Sequence, residues 1–295
     1  DPRVTTFEHL DVLGERGFNR VSMGVQDFTP EVQESINRVQ SAKETEELIQ
    51  YARRKGFRGI NVDLIYGLPF QSSDSFARAV DQVINMGVDR LAVYSFALVP
   101  WMRAHQNQIS QDNLPGRDLK LELFAVAREK LLQAGYEPIG MDHFAKPDDE
   151  LFRARKEHRL RRNFQGYSVI PAGDVIGLGI SAIGDVQGSY TQNEKKLSSY
   201  GEAIKAGRLP VYRGIARGAD DDVRRDVIHE LMCNFHVAFA AIEARHGIKF
   251  QEYFAEDLAA LGEHEVNGMV KVGSHAIVVT PVGELFVRNL AMCFD

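Results

Sequence analysis

The sequence predicts an α/β protein: a parallel sheet of strand–helix units, half of a barrel or half of an open sheet, followed by a small α+β domain with a winged-helix flavour. Three observations predict it. Runs of strand formers at 20–26, 59–66 and 90–96 alternate with helical segments at the spacing of parallel βα units joined by right-handed crossovers. The strands stop abruptly, at Gln26, at Gly67-Leu68-Pro69 and at Ala97-Leu98-Val99-Pro100, so three strand ends share one edge of the sheet. The periodicity then changes near Arg217-Gly218-Ala219-Asp220, which sets the expected boundary between domains 1–217 and 218–295.

Element by element, Phe7, Leu10 and Leu13 have helical spacing and Gly17 ends that helix. Thr29-Pro30 starts the helix after the first strand, with Val32, Ile36 and Val39 as its apolar stripe. Ser41 with Glu44 reads as a capping box for a helix burying Leu48, Ile49 and Ala52. Ser72-Ser73-Asp74 caps the next helix, which carries Phe76, Val80, Val83 and Ile84. A longer helix runs over 117–134, and 136–144 reads as a strand. The glycine-dotted stretch 175–184 also reads as a strand. Helices are predicted over 221–246 and 250–261, a hairpin at 270–279, and a last helix from Thr280-Pro281.

Asp63 is the residue that most needs explaining. It interrupts Gly59-Ile60-Asn61-Val62-Asp63-Leu64-Ile65-Tyr66, a run apolar enough for a strand buried on both faces. A carboxylate there must find a partner, because burying it alone is costly. The alternatives are a structural ion pair and a ligand contact. Ligands of α/β sheets gather beyond the C-terminal strand ends, which favours the ligand.

The 295 residues carry a net charge of -6, are 44% hydrophobic and include two cysteines. That charge excludes nonspecific nucleic-acid binding by the whole surface. No apolar run reaches the roughly 18–20 residues of a membrane span, and no signal peptide is visible. Cys233 and Cys293 are too few for a disulfide framework or a cysteine metal site, so a cytoplasmic setting is the default. Six of the ten residues 153–162 are Lys or Arg, which reads either as a local polyanion-attracting patch or as a solvated helix face. RNA is a third reading, disfavoured by the acidic pI and the lack of an aromatic array for single strands. Asp142-His143 is either an acid–base pair, part of a zinc site, or a hydrogen-bonded structural histidine. Gly177-Leu178-Gly179 lacks the spacing of a dinucleotide fingerprint; its glycines allow a close approach or a bend. Few basic groups lie in 264–293, which argues against DNA binding by the tail.

Taken together, Gly24-Val25-Gln26-Asp27-Phe28, Asn37-Arg38, Asp63-Leu64-Ile65-Tyr66-Gly67-Leu68-Pro69, Gly140-Met141-Asp142-His143-Phe144-Ala145, Asp148-Asp149-Glu150-Leu151, Arg162-Asn163-Phe164-Gln165-Gly166-Tyr167 and Gly177-Leu178-Gly179 are more specific than any part. In this order they resemble the oxygen-independent coproporphyrinogen III oxidase (dehydrogenase) family of the radical S-adenosylmethionine superfamily, essentially end to end. The related haem-chaperone-like family shares Gly24-Val25-Gln26 and Gly67-Leu68-Pro69. It usually has His-Asn and Tyr-Trp where this chain has Arg162-Asn163 and Gly166-Tyr167, so it is the alternative: a relative that binds cofactor or haem without turnover.

The resemblance implies the second half of a partial (β/α)6 TIM-like barrel with the C-terminal α+β domain. It implies a cytoplasmic, monomeric oxidoreductase that converts two propionates of coproporphyrinogen III to vinyls, giving protoporphyrinogen IX. A 5′-deoxyadenosyl radical, made from S-adenosylmethionine with an electron relayed by a [4Fe-4S] cluster from a donor, abstracts the hydrogen. The family's Cys-x3-Cys-x2-Cys motif, Gly-Gly loop and cofactor-binding Glu are absent here and are expected upstream, so this piece alone is expected to be inert. Gln26, Arg38, Asp63, Ala97 and Ile183 match the family's contacts to two S-adenosylmethionine molecules. Phe164 and Gln165 fall on the substrate side, and Arg103, Arg161 and Arg162 are candidates for its carboxylates. No general base is implied.

Overall fold

A computed structural model describes every residue except Ala172, and of His105 the backbone alone. The chain forms two compact units, Asp1–Arg153 and Ala154–Asp295. In the first, α1 (Phe7–Glu15) precedes β1 (Arg20–Gln26), and α2 (Pro30–Ser35) and α3 (Ala42–Arg54) lead to β2 (Gly59–Tyr66). Next come α4 (Ser73–Asn85), β3 (Arg90–Ser95), α5 (Arg117–Gln133), β4 (Glu137–Gly140) and β5 (His143–Ala145), and then α6 (Glu150–Lys156), whose residues fall on both sides of the division between the units. The strands make one sheet in the order β1-β2-β3-β5-β4. β1, β2 and β3 run parallel, while β5 and β4 are antiparallel.

Side chains alternate across a strand, and here the two faces differ. Met23, Val25, Ile60, Val62, Leu64, Leu91 and Val93 are buried with Leu48, Ile49, Phe76, Val80, Leu123 and Leu131 of the helices. The opposite face carries Ser22, Gly24, Asn61, Asp63, Ala92 and His143, brought level by the registers Ser22↔Asn61, Gly24↔Asp63, Asp63↔Ala92 and Ala92↔His143. β2 is therefore not apolar on both faces as its sequence suggests, because helices cover only one of them; Asn61 and Asp63 are half-buried. The stretch 136–144 is a hairpin: Met141, at φ +48, turns β4 into β5. Val39 leaves its expected stripe and is exposed, because α2 has already ended at Ser35.

The second unit holds the hairpin β6 (Arg161–Asn163) and β7 (Gly166–Ser168), then β8 (Ile183–Val186), β9 (Ser189–Asn193), α7 (Leu197–Lys205) and β10 (Val211–Ala216). It continues through α8 (Ala219–Asn234), β11 (His236–Ala238), α9 (Phe239–His246), α10 (Phe250–Tyr253), α11 (Ala255–Val266), β12 (Val270–Val272), β13 (Ala276–Val279) and α12 (Val287–Met292). Two three-stranded sheets result, β10-β9-β8 and β11-β13-β12. Phe250, Phe254 and Phe294 are fully buried in its core, and Phe239 stacks on Phe250 with centroids 4.2 Å apart.

Two expectations change in this unit. The helix over 221–246 breaks at Phe235, in the left-handed region at φ +54, and the freed residues pair with β13 as β11. Of 175–184 only the last residues are strand. Gly177 instead lies so close to β8 that a Cβ there would be 2.9 Å from the Ile183 carbonyl oxygen, while Asn193 Nδ2 donates to the carbonyls of Gly177 and Gly179. Residues 217 and 218, where the sequence sets its boundary, lie within the second compact unit, and side chains link the stretches on either side of them. Arg217 pairs with Asp185 and Asp222, and the Tyr167 hydroxyl donates to the Met232 carbonyl at 2.9 Å. Among the described residues no helix is long and apolar enough to cross a membrane.

Candidate functional site

The C-terminal end of β1 is built around a missing side chain. At Gly24 a Cβ would stand 2.6 Å from Gln26 Nε2 and 3.4 Å from Arg38 Nη2, so both side chains lie over this one backbone position. Gln26 gets there through a register slip after Gly24 and a φ of +72. Arg38 arrives from the turn that follows α2, where Asn37 is also left-handed, and its Nη2 donates to the Gly24 carbonyl at 2.7 Å. Its Nη1 donates to the Asp1 carboxylate at 3.2 Å. Burial, with Arg3 as a lesser cause, lowers the pKa of the Arg38 guanidinium. Two buried polar atoms here, Gln26 Oε1 and Arg38 Nε, have no hydrogen-bond partner among the described residues. Buried atoms of this kind are rarely left unpaired unless something else is meant to meet them.

Asp63 adjoins this spot, since it is the β2 residue in register with Gly24. Asn61 Nδ2 donates to Asp63 Oδ1 at 2.7 Å and to Ser22 Oγ at 2.9 Å. Burial raises the Asp63 pKa, against the lowering influence of Asn61, His143 and Ser22. Further along the same face His143 Nδ1 meets Asp142 Oδ1 at 2.8 Å, and its Nε2 lies 3.4 Å from the Tyr94 hydroxyl. That is a hydrogen-bonded pair, and among the described residues no group of three or more His, Cys, Asp or Glu could hold a metal ion. Ala97 is exposed just beyond β3. The segment is anchored there by Lys120 Nζ donating to the Phe96 carbonyl at 2.9 Å and by Gln106 Nε2 donating to the Ala97 carbonyl at 3.2 Å.

Gln26, Arg38 and Asp63 are thus gathered around Gly24, a position to which the sequence assigns no role. Its one sequence signal is a glycine inside a strand, which often marks a close approach. Arg103 is exposed in the same unit. Ile183 opens β8 in the second unit, half-buried. There too, Phe164 and Gln165 form the turn between β6 and β7. Phe164 is exposed and meets Tyr190 edge-on at 5.3 Å, and the Gln165 amide donates to Asn163 Oδ1 at 2.9 Å. The basic run 153–162 is neither one helix face nor an unbroken cationic patch. It passes from helix through turn to strand, with Arg155 paired to Glu284, Arg159 to Glu157 and Arg161 to Glu230.

Known proteins show the same architecture. Residues 1–83 match the radical SAM superfamily. The chain is 45% identical over its whole length to oxygen-independent coproporphyrinogen III oxidase from Pseudomonas aeruginosa, covering 64% of that protein. Over 280 residues it is 41% identical to the Thermostichus vulcanus protein of the same name, covering 95% of this chain and 86% of the relative. The chain belongs to the oxygen-independent coproporphyrinogen III oxidase family. A solved structure of this family, coproporphyrinogen III oxidase (HemN) from Escherichia coli, described as a radical SAM enzyme, superposes with a TM-score of 0.97 at 44% identity. That match covers all of this chain and 68% of the other. The chain thus spans a little under two thirds of the Pseudomonas relative.

Membership of this oxidase family implies S-adenosylmethionine and a [4Fe-4S] cluster. The first fits the residues at Gly24. An amide, a guanidinium and a carboxylate supply donors for a carboxylate and acceptors for hydroxyls or an ammonium, and the orphaned Gln26 Oε1 and Arg38 Nε await partners. The cluster finds no such fit in this chain. The Cys233 thiol is buried and pushed up to about 12 by that burial, and burial raises the Cys293 thiol as well.

Proposed function

We propose that this chain forms the cofactor-gripping and substrate-facing part of an oxygen-independent coproporphyrinogen III oxidase. The reaction is the oxidative decarboxylation of two propionate side chains of coproporphyrinogen III to vinyls, giving protoporphyrinogen IX, in a cytoplasmic monomer served by an electron donor. The observation that carries this reading is the backbone match of the entire chain to a radical SAM coproporphyrinogen III oxidase at 44% identity. On this reading the sheet is the second half of a partial (β/α)6 barrel, and residues 218–295, within the second compact unit, make up a winged-helix-like α+β part.

Two S-adenosylmethionine molecules bind, and the bound cofactor supplies the hydrogen-abstracting radical. This chain's residues bind, orient and shield. Arg38 faces the methionine carboxylate, to which a guanidinium can give two charge-assisted hydrogen bonds. Gln26 lends one donor and one acceptor beside it. Asp63 accepts from ribose hydroxyls or an amino group, and Asn61 fixes its rotamer through the 2.7 Å hydrogen bond. Ala97 and Ile183 offer backbone groups and an apolar wall. Phe164 and Gln165 face the tetrapyrrole, whose carboxylates meet Arg103, Arg161 and Arg162. The carboxylate of each propionate leaves as carbon dioxide and the remaining odd electron passes to an acceptor, leaving the vinyl, so no side chain of this chain has to remove a proton.

The test is anaerobic turnover by the complete protein containing these residues, with its cluster reconstituted. Coproporphyrinogen III, S-adenosylmethionine and a low-potential reductant are supplied and the porphyrins separated. Stepwise appearance of monovinyl and divinyl products is expected. Binding of cofactor and tetrapyrrole with no vinyl formed would overturn the reading.

A further inference from the structure

The mouths of β1 and β2 are tied together by a buried polar network that the reading above leaves without a role. Asp27 follows Gln26 and is wholly buried. Its Oδ1 accepts from the Thr29 amide at 2.6 Å, and its Oδ2 from Gln71 Nε2 at 2.6 Å. Gln71, in the turn after β2, also donates to the Ile65 carbonyl at 2.8 Å and accepts from the Leu68 amide at 2.9 Å. One carboxamide therefore bridges the two strand ends. Behind it Gln40 Nε2 donates to the Val25 carbonyl at 2.7 Å, and Gln33 Nε2 to the Asp27 carbonyl at 2.9 Å. Gln33 Oε1 accepts from the Gln40 amide at 3.2 Å, closing the network.

What these groups flank along the chain is Gln26. Its neighbours' carbonyls, at Val25 and Asp27, are each held by a side-chain amide, and the residue between them is kept at φ +72. Residues with a Cβ avoid that region unless their surroundings over-determine it. Buried carboxylate–amide networks are also a poor choice for stability alone, since apolar side chains of similar size avoid the desolvation cost. We infer that Asp27 and Gln71 are positioning residues of the S-adenosylmethionine site, holding Gln26 in the backbone conformation that turns its carboxamide over Gly24. The inference rests on the cofactor reading given above.

Equilibrium binding of labelled S-adenosylmethionine to the complete, cluster-loaded protein tests it, with thermal melting recorded alongside. Asp27→Asn and Gln71→Met are each expected to weaken binding about tenfold, the size of a lost charge-assisted hydrogen bond. In a Gln26→Gly background, where position 26 has no amide to aim and accepts a positive φ, the same changes should alter binding less than about twofold. Equal losses in both backgrounds, or none in either, would overturn the inference. So would a failure of both variants to fold, which would mark the pair as purely structural; if one variant folds, it decides. No binding by the unsubstituted protein would remove the cofactor reading and this inference together, whereas normal binding with background-independent losses removes this inference alone.

Discussion

A methyl group at position 24 would sit 2.6 Å from Gln26 Nε2 and 3.4 Å from Arg38 Nη2, within contact of both. The first of these is the tip of a flexible side chain, so the fold can yield but the site cannot. Gly24→Ala is expected to weaken S-adenosylmethionine binding about tenfold or more while shifting the melting temperature by only a few degrees, as dialysis and calorimetry would show. Asp63 adds a pH signature. Burial holds its pKa above 3.8, so the folded protein keeps the proton over a window in which the unfolded chain has released it. Stability contributed by that proton is full below 3.8 and is lost as pH rises through the folded-state value, above which the ionised group is a net penalty. Asp63→Asn should therefore melt higher than the parent at pH 7. Cofactor binding runs the other way, because only the carboxylate accepts hydrogen bonds with both oxygens. Affinity should fall on the acid side, and Asp63→Asn should remove that fall along with most of the affinity. The residue types at 26, 38 and 63 are legible in the sequence. Their meeting over Gly24 is not, since it depends on cross-strand register and on one left-handed residue.

Elements whose signals are local come out as the sequence suggests. β1, β2, β3, α3 and α4 have strong periodicity and clear stop residues, and they and α5 lie where expected. Elements decided by distant partners do not. The helix expected through Phe235 is cut because Val279 donates to the Phe235 carbonyl at 2.9 Å, and β11 gains a strand partner in place of further helical turns. The glycines at 177 and 179 are recruited by the Asn193 amide instead of by a ladder, a contact no window of neighbouring residues reveals. A similar long-range tie fixes the start of β4. The fully formed α5 hands over to Tyr136, whose hydroxyl donates to the Val88 carbonyl at 2.6 Å and whose pKa burial pushes up to about 12. Tyr136→Phe leaves that buried carbonyl without its side-chain donor. Denaturant melts should show a loss of about 1 kcal/mol with an unchanged slope.

For the molecule as a whole, the net charge of -6 conceals how the cations are used. Each unit has its own core, and the polar residues proposed to grip the cofactor belong to the first while β6, β7 and β8 belong to the second. The basic run looks like a patch in sequence because pairing partners such as Glu230 and Glu284 lie far along the chain. Within it Arg162 differs from its neighbours. Its guanidinium lies 5.9 Å from the Tyr167 ring, where a cation keeps its charge for an anion to meet. Arg159, by contrast, is held by Glu157 two residues away. If the β6–β7 hairpin meets the tetrapyrrole carboxylates, reversing these two charges should have different consequences in the complete enzyme. Arg162→Glu should raise KM for coproporphyrinogen III about tenfold, the worth of one charge-assisted contact, and leave S-adenosylmethionine binding unchanged. Arg159→Glu should leave both as they were. Equal KM values for the two variants would take the hairpin out of the substrate site. A parallel loss of cofactor affinity in Arg162→Glu would mean that this residue does not serve the substrate alone.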